Sequence, residues 1–273
     1  MLNIIYEIFS YPFMVKAIIV GLLISICSAL LGVILVLKRY SMIGDGLSHV
    51  GFGALAIATV LNKEPLLICI PVVVIVSFFL LKINENRKIK GDSAIALIST
   101  SSLAIGIMVL SISKGINTDV SNYLFGSILG LTNKDVILTI ILTIVVILVF
   151  IIFYNKIFAI TFDETFSKAT GINANLYNMI IAFLTSLVIV FGMRTMGSLL
   201  ISSLMIFPTL TSMRVFKSFK QIIINSLVVS IICFLIGVFL SYIYDMPTGA
   251  SISVVNIVAF LIYYIVGIIK NKL

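Results

Sequence analysis

Residues 13–37 read FMVKAIIVGLLISICSALLGVILVL and run straight into Lys38-Arg39. One charge, Lys16, falls within the stretch. A bilayer core of roughly 30 Å takes about 20 apolar residues in helical form, so the run is long enough to cross. A helix is the form in which one segment satisfies all its own backbone groups in lipid. No basic region precedes the run and no small-residue cleavage site follows it, so it reads as a retained spanning helix and not as a removed signal peptide.

The same pattern repeats outward from this stretch. Apolar runs near 45–61, 65–81, 92–112, 135–154, 175–193, 196–213, 221–243 and 250–269 predict further spans. The expected fold is all-α, a polytopic transmembrane bundle of about nine (eight to nine) helices forming a single domain over residues 1–273. The stretch 121–131 is apolar but short, and is expected to be re-entrant or interfacial. Asp92 and Asp135 are predicted as N-caps, and Pro65 suits a first helical turn. Composition agrees: 61% of residues are hydrophobic, 10% are charged and the mean hydropathy is +1.28. These values exclude a water-soluble enzyme, a nucleic-acid-binding module and a disordered chain. Cys27, Cys69 and Cys233 lie singly in separate apolar runs, where they read as small helix residues.

The net charge of +8 is a matter of orientation. Alternate connectors hold Lys38, Arg39, Lys82, Arg87, Lys88, Lys90, Lys156, Lys168, Arg214, Lys217, Lys220, Lys270 and Lys272 on one side, against Lys16, Lys63, Lys114, Lys134 and Arg194 on the other. The richer side is expected to be cytoplasmic, which places the N-terminus outside and the C-terminus inside. The longest polar connector, about 155–175, falls on the cytoplasmic side. No GxxxxGK[ST] pattern occurs, and Gly-Lys is absent as a dipeptide, so the chain carries no phosphate-cradling loop of that kind.

Ionisable residues inside a span are costly and commonly functional. Asp45 and His49, the only histidine, stand four residues apart and therefore on one helical face, with Gly53 continuing the stripe. A carboxylate and an imidazole one turn apart make half of a divalent-metal site. Both suit zinc and manganese, and the lack of thiolates argues against Cu(I). The alternative is an internal Asp–His hydrogen bond that stabilises the bundle. The spacing leaves both readings open.

The stretch Arg39-Tyr40-Ser41-Met42-Ile43-Gly44-Asp45-Gly46-Leu47-Ser48-His49 resembles the signature of the ABC-3 family of zinc/manganese ABC transporter permeases. The likeness recurs in Gly91-Asp92-Ser93-Ala94-Ile95, Leu124-Phe125-Gly126-Ser127-Ile128-Leu129-Gly130, Phe162-Asp163-Glu164-Thr165-Phe166-Ser167-Lys168-Ala169-Thr170-Gly171-Ile172, Gly197-Ser198-Leu199-Leu200 through Pro208, and Pro247-Thr248-Gly249. Three departures are visible. Gly51-Phe52-Gly53 replaces Leu-Pro-Gly, Ser167 replaces an alanine, and Ala250 replaces a proline.

The resemblance implies a fold related to type II ABC importer permeases. It implies Asp45 and His49 as metal ligands, with no permanently bound cofactor and Zn2+ (favoured over Mn2+) as the transported ion. The implied partners are a second copy of the chain, a cytoplasmic ABC ATPase dimer and an extracellular or periplasmic metal-binding protein, within a lipid bilayer and without nucleic acid. The implied contact with the ATPase runs through Asp163, Glu164, Phe166, Lys168 and Gly171, with Asp163 capping a short helix and Gly171 closing it. The chain is expected to be a transport subunit and not itself an enzyme. An ion-coupled secondary transporter would need several intramembrane acids or paired broken helices. A siderophore or cobalamin permease would have no use for the Asp–His pair.

Overall fold

The computed structural model describes residues 10–85, 91–112 and 131–272. The helices are α1 (Pro12–Leu37), α2 (Ile43–Val60), α3 (Pro65–Glu85), α4 (Gly91–Ile112), α5 (Asn133–Ile152), α6 (Tyr154–Phe162), α7 (Glu164–Ala169), α8 (Ala174–Met196), α9 (Ser198–Met213), α10 (Phe219–Tyr244) and α11 (Thr248–Lys272). Among the described residues, eight helices are long and apolar enough to cross a membrane, and α9 is a shorter apolar helix. The chain is a multi-pass membrane protein. Each predicted span finds its helix in order, with both ends within four residues.

Helix α1 is apolar around its whole circumference, and such a helix belongs in a bundle's interior. It packs against α5, α8, α9 and α10. Helix α2 lies beside α3, α4, α8 and α9, while α11 covers α9 and α10. Small residues let these helices approach. A Cβ on Gly32 would run into the Met205 carbonyl of α9, and one on Gly53 would lie 2.7 Å from the Ser102 carbonyl of α4. Side-chain hydroxyls cross between helices as well, from Ser230 to the Ser25 carbonyl at 3.1 Å and from Ser77 to the Ala182 carbonyl at 3.2 Å. Helices α8 and α9 are joined by Gly197 alone, at φ 85° and ψ 160°, a conformation open essentially to glycine. All three cysteines are buried and unbridged, as small core residues.

Two helix starts differ from expectation. The cap of α5 is Thr132, and Asp135 sits three residues on as its capping-box partner, accepting the Thr132 N–H at 3.0 Å. A buried carboxylate at N3 can serve this box and an ion pair together, and Asp135 Oδ1 also takes Arg194 Nη1 at 3.0 Å. Arg194, expected in a connector, therefore lies in the last turn of α8. Asp92 lies inside the first turn of α4 and not before it, favoured there by the helix dipole. The short helix expected within 162–172 is present as α7, and the 155–175 connector also holds a second helix before it, α6, the two meeting at Asp163. The expectation for 121–131, and the Leu124 to Gly130 element, lie outside the described residues apart from Leu131.

Candidate metal site and cytoplasmic contact segment

Helix α1 ends in a Schellman motif. The Arg39 N–H donates to the Val36 carbonyl at 3.0 Å and the Tyr40 N–H to the Leu35 carbonyl at 2.7 Å, with Arg39 at φ 63°. The chain turns there and starts α2 at Ile43. Gly32, five residues inside the end of α1, abuts Met205, whose Sδ would lie 3.0 Å from a Cβ on Gly44. Met205 of α9 therefore packs against both the last turns of α1 and the first turn of α2.

The structure brings Asp45 and His49 together as the spacing predicts, with Nε2 3.7 Å from Oδ1. That separation exceeds a hydrogen bond, so the internal Asp–His bond is not made. His49 Nδ1 is buried and meets no donor or acceptor among the described residues. Ser202 of α9 donates to Asp45 Oδ1 at 3.2 Å, and its hydroxyl lies 3.2 Å from that of Ser48, which itself donates to the Asp45 carbonyl at 2.8 Å. The two side chains keep 39% (Asp45) and 23% (His49) exposure, whereas all other residues between positions 43 and 56 are buried. Gly53 does not leave room beside the imidazole as the stripe suggests, because the α4 backbone occupies that place.

One carboxylate and one imidazole offer two ligands. Among the described residues, no group of three or more His, Cys, Asp or Glu side chains gathers in one place. Ser202 was not legible in the sequence. It is one of many hydroxyls in apolar helices, and only the packing of α9 against α2 sets it opposite Asp45.

Asp163 caps α7 as predicted, accepting the Phe166 N–H at 2.8 Å. Gly171, at φ 85°, closes the same helix. Its N–H donates to the Lys168 carbonyl at 3.2 Å and the Ile172 N–H to the Ser167 carbonyl at 3.0 Å, a second Schellman motif. Phe166 projects from this turn with 64% exposure. Glu164 meets Lys168 at 2.8 Å, Lys38 at 3.2 Å and the Asn178 amide at 3.1 Å. Burial on its own would raise the Glu164 pKa. Hydrogen bonds from Lys168 and Asn178 and the Lys38 ammonium outweigh burial and bring it down from an ordinary 4.5 to about 2. Sequence reasoning picked out Glu164 and Lys168 but not Lys38 or Asn178, whose roles depend on how α1 and α8 converge.

Residues 10–267 match the ABC 3 transport family. The chain is 29% identical over 257 residues to the manganese import system permease protein ScaB of Streptococcus gordonii, covering 94% of this chain and 92% of that one. It is 26% identical over 252 residues to the high-affinity zinc uptake system membrane protein ZnuB of Haemophilus influenzae, covering 92% and 97%. Among solved structures it resembles PsaBC from Streptococcus pneumoniae in complex with Fab, with a TM-score of 0.83, 28% identity and 95% of each chain covered.

Proposed function

This chain belongs to the ABC 3 transport family, and from that premise we propose that it is the membrane permease subunit of an importer for divalent transition metal ions. The observation that carries the reading is the Asp45–His49 pair. It comprises two ionisable, partly exposed side chains on a membrane-spanning helix, held 3.7 Å apart without bonding each other, and the only incompletely buried positions between residues 43 and 56 of α2. A group so costly within a span serves a passing ion better than it serves packing. The names of relatives include both manganese and zinc systems. A nitrogen and oxygen set accepts either ion, and the order of affinities favours zinc.

Energy comes from a separate cytoplasmic ATPase docked on α7, where exposed Phe166 is the apolar anchor and the Asp163 cap and Gly171 closure keep the turn rigid. An extracellular or periplasmic metal-binding protein delivers the ion. The charge asymmetry of the connectors supports an external N-terminus and a cytoplasmic C-terminus. Two copies of the chain, with α2 facing α2 across a two-fold axis, would supply four ligands, two carboxylates and two imidazoles.

Proteoliposomes carrying the chain with its ATPase test this reading. ATP-dependent accumulation of Zn2+ or Mn2+, lost in His49→Ala, is the expected result. Accumulation driven by an ion gradient without the ATPase would overturn it.

A further inference from the structure

Lys38 is the C-cap of α1, and its ammonium is withdrawn from solvent, with the side chain only 9% exposed. A buried cation needs partners, and it has them on two other helices. Nζ donates to Asn178 Oδ1 of α8 at 2.6 Å and to Glu164 Oε2 of α7 at 3.2 Å. The Asn178 amide donates to the same Glu164 oxygen at 3.1 Å, and Lys168 holds the other oxygen at 2.8 Å. This closed set of charge-assisted bonds fixes α7 to the end of α1 and the start of α8.

Residue 38 is also the first residue of the turn that leads to the metal helix. Arg39 next to it holds a left-handed conformation that L side chains seldom adopt, at φ 63°. Four residues on, Ile43 begins α2, and Asp45 lies in its first turn. A small cavity lined by Leu35, Tyr40, Ile43, Ser77, Ile181 and Thr185 reaches Lys38 and Asn178, so the turn is not packed tightly on that side.

We propose that Lys38 is the positioning residue through which α7 moves the metal ligands: Glu164 grips its ammonium, so a displacement of α7 shifts the 38–42 turn and carries Asp45 and His49 with it. The proposal rests on α7 being the ATPase contact. Rigid helices transmit such a shift without loss, and the turn is the one irregular segment between grip and ligand. Lys168 anchors Glu164 within α7 itself, which leaves Glu164 Oε2 free to face outward to the other two helices.

The test uses the permease–ATPase complex in proteoliposomes and reads Zn2+ ions imported per ATP hydrolysed, with co-purification of the ATPase as a second readout. Lys38→Met is expected to keep the ATPase bound and hydrolysing while the ratio falls at least tenfold, and Glu164→Gln, which also loosens α7, is expected to lower the ratio at least tenfold in the complexes that retain the ATPase. The double variant should be no worse than either single one, since the partners act as one unit. The reversed pair Lys38→Glu with Glu164→Lys, carried together with Lys168→Glu so that residue 164 keeps an oppositely charged neighbour, should regain most of the ratio, because the Asn178 amide offers both a donor and an acceptor and can serve either polarity. A wild-type ratio in Lys38→Met, or additive losses in the double variant, would overturn the relay. So would loss of assembly in both single variants without rescue by the reversed pair. Phe166→Glu separates the two readings. If it retains the ATPase, the α7 contact fails and the relay with it. If it sheds the ATPase while Lys38→Met couples normally, the relay alone fails.

Discussion

The Asp45 carboxylate has one oxygen engaged by the Ser202 hydroxyl and facing His49, so the side chain is held in place by a residue from another helix. On the proposed function, removing either side chain leaves the metal one protein ligand from each chain in place of two. His49→Ala and Asp45→Ala are expected to abolish metal uptake at matched membrane expression, because neither side chain contributes to packing within α2. Ser202→Ala is the subtler change. It deletes the donor that orients the carboxylate while leaving the carboxylate itself, and losses of this kind lower metal affinity on the order of 10-fold or more. A metal titration of the purified protein checks it, and unchanged affinity would show that Asp45 needs no help from α9. The Asp45–His49 pair was legible because an acid and a lone histidine one turn apart stand out in an apolar run, although the spacing alone allowed a structural Asp–His bond as well as a metal site. Ser202 did not stand out, being a hydroxyl in a helix that can bond to its own backbone, which it also does to the Ser198 carbonyl at 3.1 Å.

Helix α7 is only six residues long, and its stability depends on its ends and its charge network more than on propensity. Asp163→Ala removes the acceptor of the Phe166 N–H, a loss of about 1 kcal/mol at a cap. Gly171→Ala forces a Cβ into a left-handed position with no clash around it, so the cost is conformational and of order 1 kcal/mol. Both are expected to loosen α7 and lower ATPase retention in pull-down, with Phe166→Glu abolishing it. Acid should do the same through Glu164. Its folded pKa, about 2, lies below the ordinary 4.5, so the stabilisation from its ion pairs is complete above 4.5 and fades as pH falls toward 2. Labelling of a Ser167→Cys position, buried in the folded segment, with dithiodipyridine, which reacts with thiols in acid, should rise over that window in the otherwise unchanged chain, and with Glu164→Gln should already be raised at neutral pH. The Asp163 and Gly171 ends were readable because cap chemistry is local. The Thr132 cap of α5 was displaced in the reading because Asp135 is an equally good cap residue, and only its ion pair to Arg194, fifty-nine positions away, shows why it sits deeper.

Across the whole molecule, the outer faces divide into two kinds. Exposed residues of α5 include Ile137, Ile141, Ile144, Leu148 and Ile151, an unbroken apolar surface suited to lipid tails. The side formed by α2 and its neighbour α4 is different, since α2 leaves Asp45 and His49 partly exposed and α4 exposes Thr100 and Ser101. Lipid is a poor solvent for these groups, so that face requires another covering. On the proposed function a second copy of the chain would supply one with matching chemistry, because a two-fold axis would set each carboxylate near the partner's imidazole. The geometry has a numerical consequence. A shared site of two Asp45 and two His49 side chains holds one ion for every two chains, and its two carboxylates offset the 2+ charge. Purified protein equilibrated with Zn2+ is therefore expected to retain half an ion per chain, and His49→Ala to retain none. Cross-linking gives an independent reading of the same face. Ile57, eight residues beyond His49 on the exposed side of α2, should form an oxidative dimer when replaced by cysteine, whereas cysteine at Ile144 on α5 should not. One ion per chain together with cross-links only at position 144 would put the ligand pairs on separate, lipid-side stations and remove the two-fold site.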